Sequence, residues 1–304
     1  MHGPSVFDSW QGGEHSAMAD ERFLSSRTMA AWIMGLPAVV IYATLFVLPL
    51  LIMFTFSLKV VDNFKVTDVW TLDNYREAFA NPVYLNVAAR TVFTAFLTTI
   101  SSLLVGYPLA YFVSKIARSR ILLLLIVIPF WTSFVVRAYA WAVILGPRGV
   151  INQLLLSLGL VDEPIRELLY GPISMGIGLL CLYLPFMILS IYVALERLDD
   201  RLLEAGRDLY ASPWTIWRRV TLPMTMPGVI TGCIFVFIPV TGEYVVPVIL
   251  GGVNSYLSAN IVVNLFGQSG QWGIGSAIAF TMMAFILVML FLLRLLARVW
   301  RIAT

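Results

Sequence analysis

Six long apolar runs dominate the chain, at 29–58, 91–114, 121–145, 168–195, 220–242 and 273–293. Each reaches or exceeds the roughly 20 residues that a helix needs to cross a bilayer. Five are free of charge, and the third carries only Arg137. The pattern predicts an all-α membrane protein with six transmembrane helices, the fifth continuing somewhat past Glu243. Gly106, Pro108, Pro129, Pro185 and Pro239 fall inside these runs. Membrane helices tolerate such residues where neighbours satisfy the freed backbone groups.

Composition removes the competing classes. Of 304 residues, 60% are hydrophobic and 12% charged, with a mean hydropathy of +0.87. A soluble domain carries about 25% charged residues. A water-soluble enzyme and a disordered chain are both excluded. The net charge of +3 points to no nucleic-acid partner. Cys181 and Cys233 lie in apolar runs and read as small buried hydrophobes, and the histidines, His2 and His15, lie in the polar N-terminal segment. With no CxxC spacing, neither a metal centre nor a disulfide framework is expected. Residues 1–28 lack the pattern of a cleaved secretory signal and are read as a cytosolic extension.

Charge placement then sets orientation. Thirteen Lys and Arg fall on the side of the N-terminal tail, 115–120, 196–222 and the C-terminal end, against five on the other side. The positive-inside rule puts both termini in the cytoplasm. The two longer outer loops, 59–90 and 146–167, carry seven acidic residues, and a solvated surface is the plain reading.

Between the fourth and fifth runs, residues 198–228 read LDDRLLEAGRDLYASPWTIWRRVTLPMTMPG. Asp199 or Asp200 is placed to cap a first short helix, with Leu202, Leu203 and Leu209 as its apolar stripe. Ser212-Pro213 starts a second helix that sets Trp214, Trp217 and Val220 on one face. Two amphipathic helices beside a membrane domain suit docking into a partner's groove, or lying on the lipid interface.

Here the sequence resembles a known family. Glu204-Ala205-Gly206, followed after the proper interval by Val220-Thr221-Leu222-Pro223, is similar to the EAA loop, E-A-A-x3-G-x9-I-x-L-P, of permease subunits of binding-protein-dependent ABC importers. The spacing from Glu204 to Pro223 matches without a gap. The resemblance implies a type I importer permease (MetI-like) fold, multi-pass in a bacterial inner membrane. It implies a cytoplasmic tail at 1–28, a first helix at 29–58, an extracytoplasmic loop at 59–90, a core permease domain at 91–297 with a coupling loop at 196–222, and a C-terminal tail at 298–304. Glu204, Ala205, Gly206, Asp208, Tyr210, Ala211, Ser212, Leu222 and Pro223 would form the ATPase-coupling surface. The implied partners are a cytosolic ATPase dimer, a second and paralogous permease subunit, an extracytoplasmic solute-binding protein and the lipid bilayer. ATP and Mg would sit on the ATPase; this chain, with no GxxxxGK[ST] loop, would bind no cofactor and catalyse nothing itself.

Two positions depart from the motif: Gly206 replaces its second Ala, and Tyr210 replaces its Gly. The motif Gly sits where the chain turns between helices, a place suited to a left-handed residue. Tyr210 must adopt that conformation at a cost of about 1 kcal/mol or turn differently. A finer resemblance, to spermidine/putrescine permeases, rests on LLLLIVIPFW at 122–131, on 152–166, and on Gly242-Glu243-Tyr244-Val245-Val246-Pro247 with Leu250-Gly251-Gly252. It implies a polyamine as solute, with other small organic solutes as the alternative.

Glu243 is the only charged residue between Arg219 and Arg294. A buried membrane charge usually faces a cavity or a partner, and Pro239 and Pro247 predict a broken helix around it. Glu243 and Tyr244 are therefore candidate path residues, with Trp131 and Tyr139 as cation–π candidates or members of an interfacial belt. Arg137 is a candidate gate or structural partner of Glu243. An ion-coupled secondary transporter is the competing class, disfavoured by a single intramembrane carboxylate and no clear internal repeat.

Overall fold

A computed structural model of the chain describes residues 36–62 and 64–303. The expected tail at 1–28 and the start of the first run lie outside the described residues. Contacts divide the chain into two units, 1–56 and 57–304. The first contributes the helix α1 (Leu36–Ser57), whose last residue opens the second unit. The second unit begins with an antiparallel hairpin, β1 (Lys59–Asp62) and β2 (Lys65–Trp70), paired Lys59 to Trp70 and Asp62 to Lys65. Helices α2 (Asp73–Ala80), α3 (Pro82–Ala117), α4 (Arg120–Trp131), α5 (Phe134–Leu145), α6 (Val150–Ser157) and α7 (Pro172–Glu196) follow. The coupling-loop candidate contributes α8 (Asp200–Asp208) and the start of α9 (Pro213–Thr241). A π-helical turn (Pro247–Gly251), α10 (Ser258–Gly267) and α11 (Trp272–Ala303) complete the chain.

Among the described residues, six helical segments, one of them made of α5 and α6 together, are long and apolar enough to cross a membrane, as the hydropathy pattern predicts. Their boundaries differ from it in four places. The third run, 121–145, is interrupted: Pro129 sits in a 3-10 turn and Ser133 is extended, so α4 ends at Trp131 and the spanning segment is Phe134–Ser157. Proline cannot donate to the carbonyl four residues back, and the helix narrows and stops there. The loop at 59–90 holds the hairpin, α2 and the first residues of α3, where Asn81 accepts from the Val83 amide at 3.0 Å and Pro82 takes the first helical position. Helix α9 starts at Pro213 rather than 220, so the second loop helix and the fifth span form one continuous helical segment of 29 residues, joined through a π-helical turn at Trp217–Thr221. At the end of the chain, α11 continues to Ala303 through most of the expected tail at 298–304.

Helices α3, α7 and α9 pack on one another and form the core, with Ala95, Ala110, Leu179, Met187, Ile191 and Val236 fully buried. Lipid tails are as apolar as leucine, so burial alone gives helices little reason to associate in a bilayer; close contact does. Gly228 and Gly232, four apart on α9, supply it. A Cβ on Gly228 would lie 2.4 Å from the Ala194 Cβ and 2.8 Å from the Ser190 carbonyl oxygen of α7, and one on Gly232 2.7 Å from the Met187 sulfur. Nearer the coupling loop, the Tyr107 and Thr225 hydroxyls bond at 3.0 Å across α3 and α9, and the Tyr107 ring meets Trp217 edge-on. A smaller cluster of Ala78, Leu265, Ile274 and Ile278 joins α2, α10 and α11.

Gly228→Ala must therefore push α7 and α9 apart, at a cost of about 1–3 kcal/mol. We expect a lower thermal midpoint for the detergent-solubilised subunit, whereas Gly267→Ala, where a Cβ meets nothing within 4 Å, leaves the midpoint unchanged. Equal midpoints for the two variants would mean that close α7–α9 packing does not limit stability.

Candidate functional site

The loop between α7 and α9 is a small helical hairpin with its own core. The Asp199 carboxylate accepts from the Arg201 amide at 3.0 Å and caps α8. The Ser212 hydroxyl accepts from the Thr215 amide at 3.3 Å and caps α9, with Pro213 first in the helix. Leu198, Leu203 and Ile216 are buried together, with Ala211 and Val220 against them. The expected stripe on α8 thus divides: Leu203 points inward, while Leu202 and Leu209 are exposed. The two tryptophans stack at 4.8 Å, Trp214 outside and Trp217 on the core side.

Both departures from the motif have a geometric account. Tyr210 adopts the left-handed conformation, at φ 55°, and is 99% exposed. Its amide donates to the Arg207 carbonyl at 2.9 Å and the Ala211 amide to the Gly206 carbonyl at 3.1 Å, the pair of bonds that closes a helix through a left-handed residue. Gly206 lies under Ile216; a Cβ there would stand 3.0 Å from the Ile216 Cγ1. Gly at this position makes room for the branched side chain that fills the hairpin core. Glu204, Ala205, Asp208 and Ser212 are exposed, and Leu222 and Pro223 are half-buried where α9 enters the core.

The second candidate site is the break after α9. The helix stops at Thr241, and Glu243 and Tyr244 lie between it and the turn that leads into Pro247–Gly251. Glu243 Oε1 accepts from the Val245 amide at 2.8 Å and from the Val246 amide at 3.3 Å, and Oε2 accepts from the Tyr183 hydroxyl of α7 at 2.6 Å. The buried Asn260 side chain donates to the Tyr244 carbonyl at 2.8 Å and ties the break to α10. The Tyr244 side chain is exposed. Among the described residues no ion pair reaches Glu243.

Arg137 does not pair with Glu243. Its guanidinium carbon lies 4.7 Å from the Phe134 ring centre, and its Nε and Nη1 are buried with no acceptor. Phe134 is 6.5 Å from Tyr183, which is 6.2 Å from Phe186, itself edge-on to Phe130 at 4.7 Å. The ring beneath the Arg137 guanidinium thus neighbours the Tyr183 phenol that holds the carboxylate, and Phe186 and Phe130 extend the aromatic row beyond it. Trp131 and Tyr139 are exposed and lie outside this row. Sequence reading missed Tyr183, Phe134 and Phe186 as a group, because one aromatic residue in a charge-free span carries no mark of its partner; for Asn260, a polar side chain in an apolar setting was the available signal.

No family model matches the chain. The spermidine/putrescine transport system permease protein PotB of Haemophilus influenzae is 41% identical over 223 residues, 73% of this chain and 77% of that protein. The inner membrane ABC transporter permease protein YdcU of Escherichia coli is 35% identical over 243 residues, 75% and 76% of the two chains. Among solved structures, a chain of a bacterial ABC transporter involved in the import of the acidic polysaccharide alginate superposes with a TM-score of 0.69 at 18% identity, covering 90% of this chain and 96% of that one. That likeness establishes a shared permease fold.

Tyr210→Gly removes the Cβ strain of the left-handed turn, worth about 1–2 kcal/mol, and loses no contact from an almost fully exposed side chain. The isolated subunit should show an unchanged or slightly higher thermal midpoint, whereas Tyr210→Val should lower it. A marked loss for the glycine variant would mean that Tyr210 supports the hairpin through contacts of its own.

Proposed function

The chain belongs to the ABC importer permease subunits of the spermidine/putrescine type, an inner-membrane family, and from that premise we propose that it moves a polyamine across the membrane and couples this step to ATP hydrolysis on a separate subunit through the α8–α9 hairpin. The hairpin end is the cytoplasmic end, in keeping with thirteen basic residues on that side against five on the other. Both termini lie there as well. An extracytoplasmic binding protein delivers the solute, and a second permease subunit, a paralogue, completes the pathway. ATP and Mg are held by the ATPase, and this chain itself has no catalytic centre.

The observation that carries the solute reading is Glu243, a carboxylate in a helix break with hydrogen-bond donors on both oxygens and, among the described residues, no ion-pair partner. A carboxylate has about four lone-pair positions, and three donors leave room for a transient ammonium group. Each ammonium of a polyamine can be attracted there and released, because no enclosing cage of charges traps it. The aromatic row beside Tyr183 offers further faces to a cation on its way. A second reading rests on the Val245 and Val246 amides: Glu243 also caps the turn that follows it.

Uptake by the reconstituted importer at saturating binding protein separates the two readings. Glu243→Gln keeps the shape and an acceptor oxygen for the turn, while the charge-assisted contact with solute is lost, worth about 1.5–3 kcal/mol. We expect uptake to fall tenfold or more with the subunit still folded. Normal uptake by Glu243→Gln would remove the residue from the solute path and leave it the role of a cap.

The hairpin reading is tested apart from the solute. Glu204→Lys reverses an exposed charge on α8 and should leave the subunit inserted but lower solute-stimulated ATP hydrolysis at least fivefold in the assembled importer. Unchanged stimulation would take this face of the hairpin out of the coupling step.

A further inference from the structure

The α8–α9 hairpin is bound to the rest of the subunit in two unlike ways. On one side it is continuous with span five, since α9 runs from Pro213 to Thr241 without a break. On the other side it meets the end of α3, and there the joint is polar. Asp200, first residue of α8, uses its two carboxylate oxygens on two cations: Oδ1 accepts from Lys115 Nζ at 2.7 Å, and Oδ2 from Arg118 Nη2 at 2.7 Å. The Lys115 ammonium also donates to the Leu198 carbonyl at 3.0 Å, and the Lys115 side chain is only 9% exposed. The Ser114 hydroxyl donates to Glu196 at 3.1 Å. Hydrogen bonding from Lys115, and then the charges of Lys115, Arg118 and Arg207, hold the Asp200 carboxyl below its ordinary range.

The place of Arg118 gives this joint its consequence. Arg118 closes α3 in the left-handed conformation, at φ 47°, and α4 begins two residues later at Arg120. A non-glycine residue keeps that conformation only where surrounding contacts over-determine it, and its guanidinium is held by Asp200. The turn between α3 and α4 is thus oriented from α8. We propose that Asp200 is a positioning residue for coupling: it makes the α3–α4 turn, and with it α4, follow the hairpin when the ATPase displaces it, so that the stroke reaches α4 as well as span five. This rests on the coupling role proposed above for the hairpin. Lys115, almost buried and with two acceptors, is the anchor of the joint. Arg118, two-thirds exposed, adds the direction of the turn.

The test uses the complete importer in lipid nanodiscs, with wild type, Asp200→Asn, Asp200→Glu and Glu204→Lys permease. Three quantities are read: ATPase subunit co-purified with the permease, ATP hydrolysed, and solute moved per ATP. Asp200→Asn cannot serve two cations with two charged oxygens, so we expect co-purification and hydrolysis near wild type and solute moved per ATP at least fivefold lower. Asp200→Glu reaches both cations and should restore the ratio to within twofold of wild type. An unchanged ratio in Asp200→Asn overturns the proposal. So does loss of co-purified ATPase in Asp200→Asn, which would make the joint a support for the docking face alone. Glu204→Lys isolates the premise: if it leaves stimulation intact while Asp200→Asn lowers the ratio, the hairpin reading fails and the joint acts by another route.

Discussion

Inside hydrocarbon no water is at hand for a freed amide or carbonyl, and every interruption of a helix must be satisfied by the protein itself. The breaks in this chain follow that constraint. After Thr241 the exposed amides of Val245 and Val246 find the Glu243 carboxylate, and the Tyr244 carbonyl finds Asn260. In the connection from α5 to α7, the buried Asn152 donates to the Gly146 and Ile165 carbonyls and accepts from the Ile165 amide. At each place one polar side chain closes several backbone groups. The only charged side chain of a 74-residue stretch thereby caps the turn that follows it and is held in fixed geometry.

The same economy shapes the α8–α9 hairpin. It has a three-residue core, Leu198, Leu203 and Ile216, too small to hold two short helices without help. Caps at Asp199 and Ser212, the left-handed Tyr210 and the close seat of Ile216 over Gly206 supply that help. Leu202, Leu209, Tyr210 and Trp214 are left facing outward. An apolar surface beside a membrane domain but off its spans is the kind of face that a groove on a partner covers. Helix α9 carries this face directly into the fifth span through a π-helical turn at Trp217–Thr221, and the glycine-packed contact with α7 follows that turn.

Arg137 shows how a membrane charge is managed by aromatic faces. With Nε and Nη1 lacking acceptors, its nearest compensation is the Phe134 ring. A desolvated cation over an aromatic face gains about 2 kcal/mol or more, less than a full ion pair would give at the same depth. The sequence offers both charges and several rings and left an Arg137–Glu243 pair as one alternative; in the structure Arg137 sits over Phe134, and Glu243 is held by Tyr183 instead.

Much of the fold was legible because its causes are local or compositional. Six apolar runs, an aspartate cap at 199 or 200, the cap at Ser212 and the helix break between Pro239 and Pro247 each follow from residue chemistry within a few positions. The structure decided that Asp199 is the cap and that Tyr210 is left-handed. The hairpin between the fourth and fifth runs was legible as two short helices, because its capping residues and the Ser212-Pro213 start lie within the segment itself. What the sequence could not decide were contacts between residues far apart in the chain. Tyr183 meets Glu243 across 60 positions, Asp200 meets Lys115 across 85, and Tyr107 meets Thr225 across 118. Nor could it show that α4 and α5 are separate or that α9 runs on from the loop helix into the span, since hydropathy records where a chain is apolar and not where its axis turns. Those outcomes depend on which helix faces approach closely enough to pack and bond, and only the tertiary structure brings those faces together.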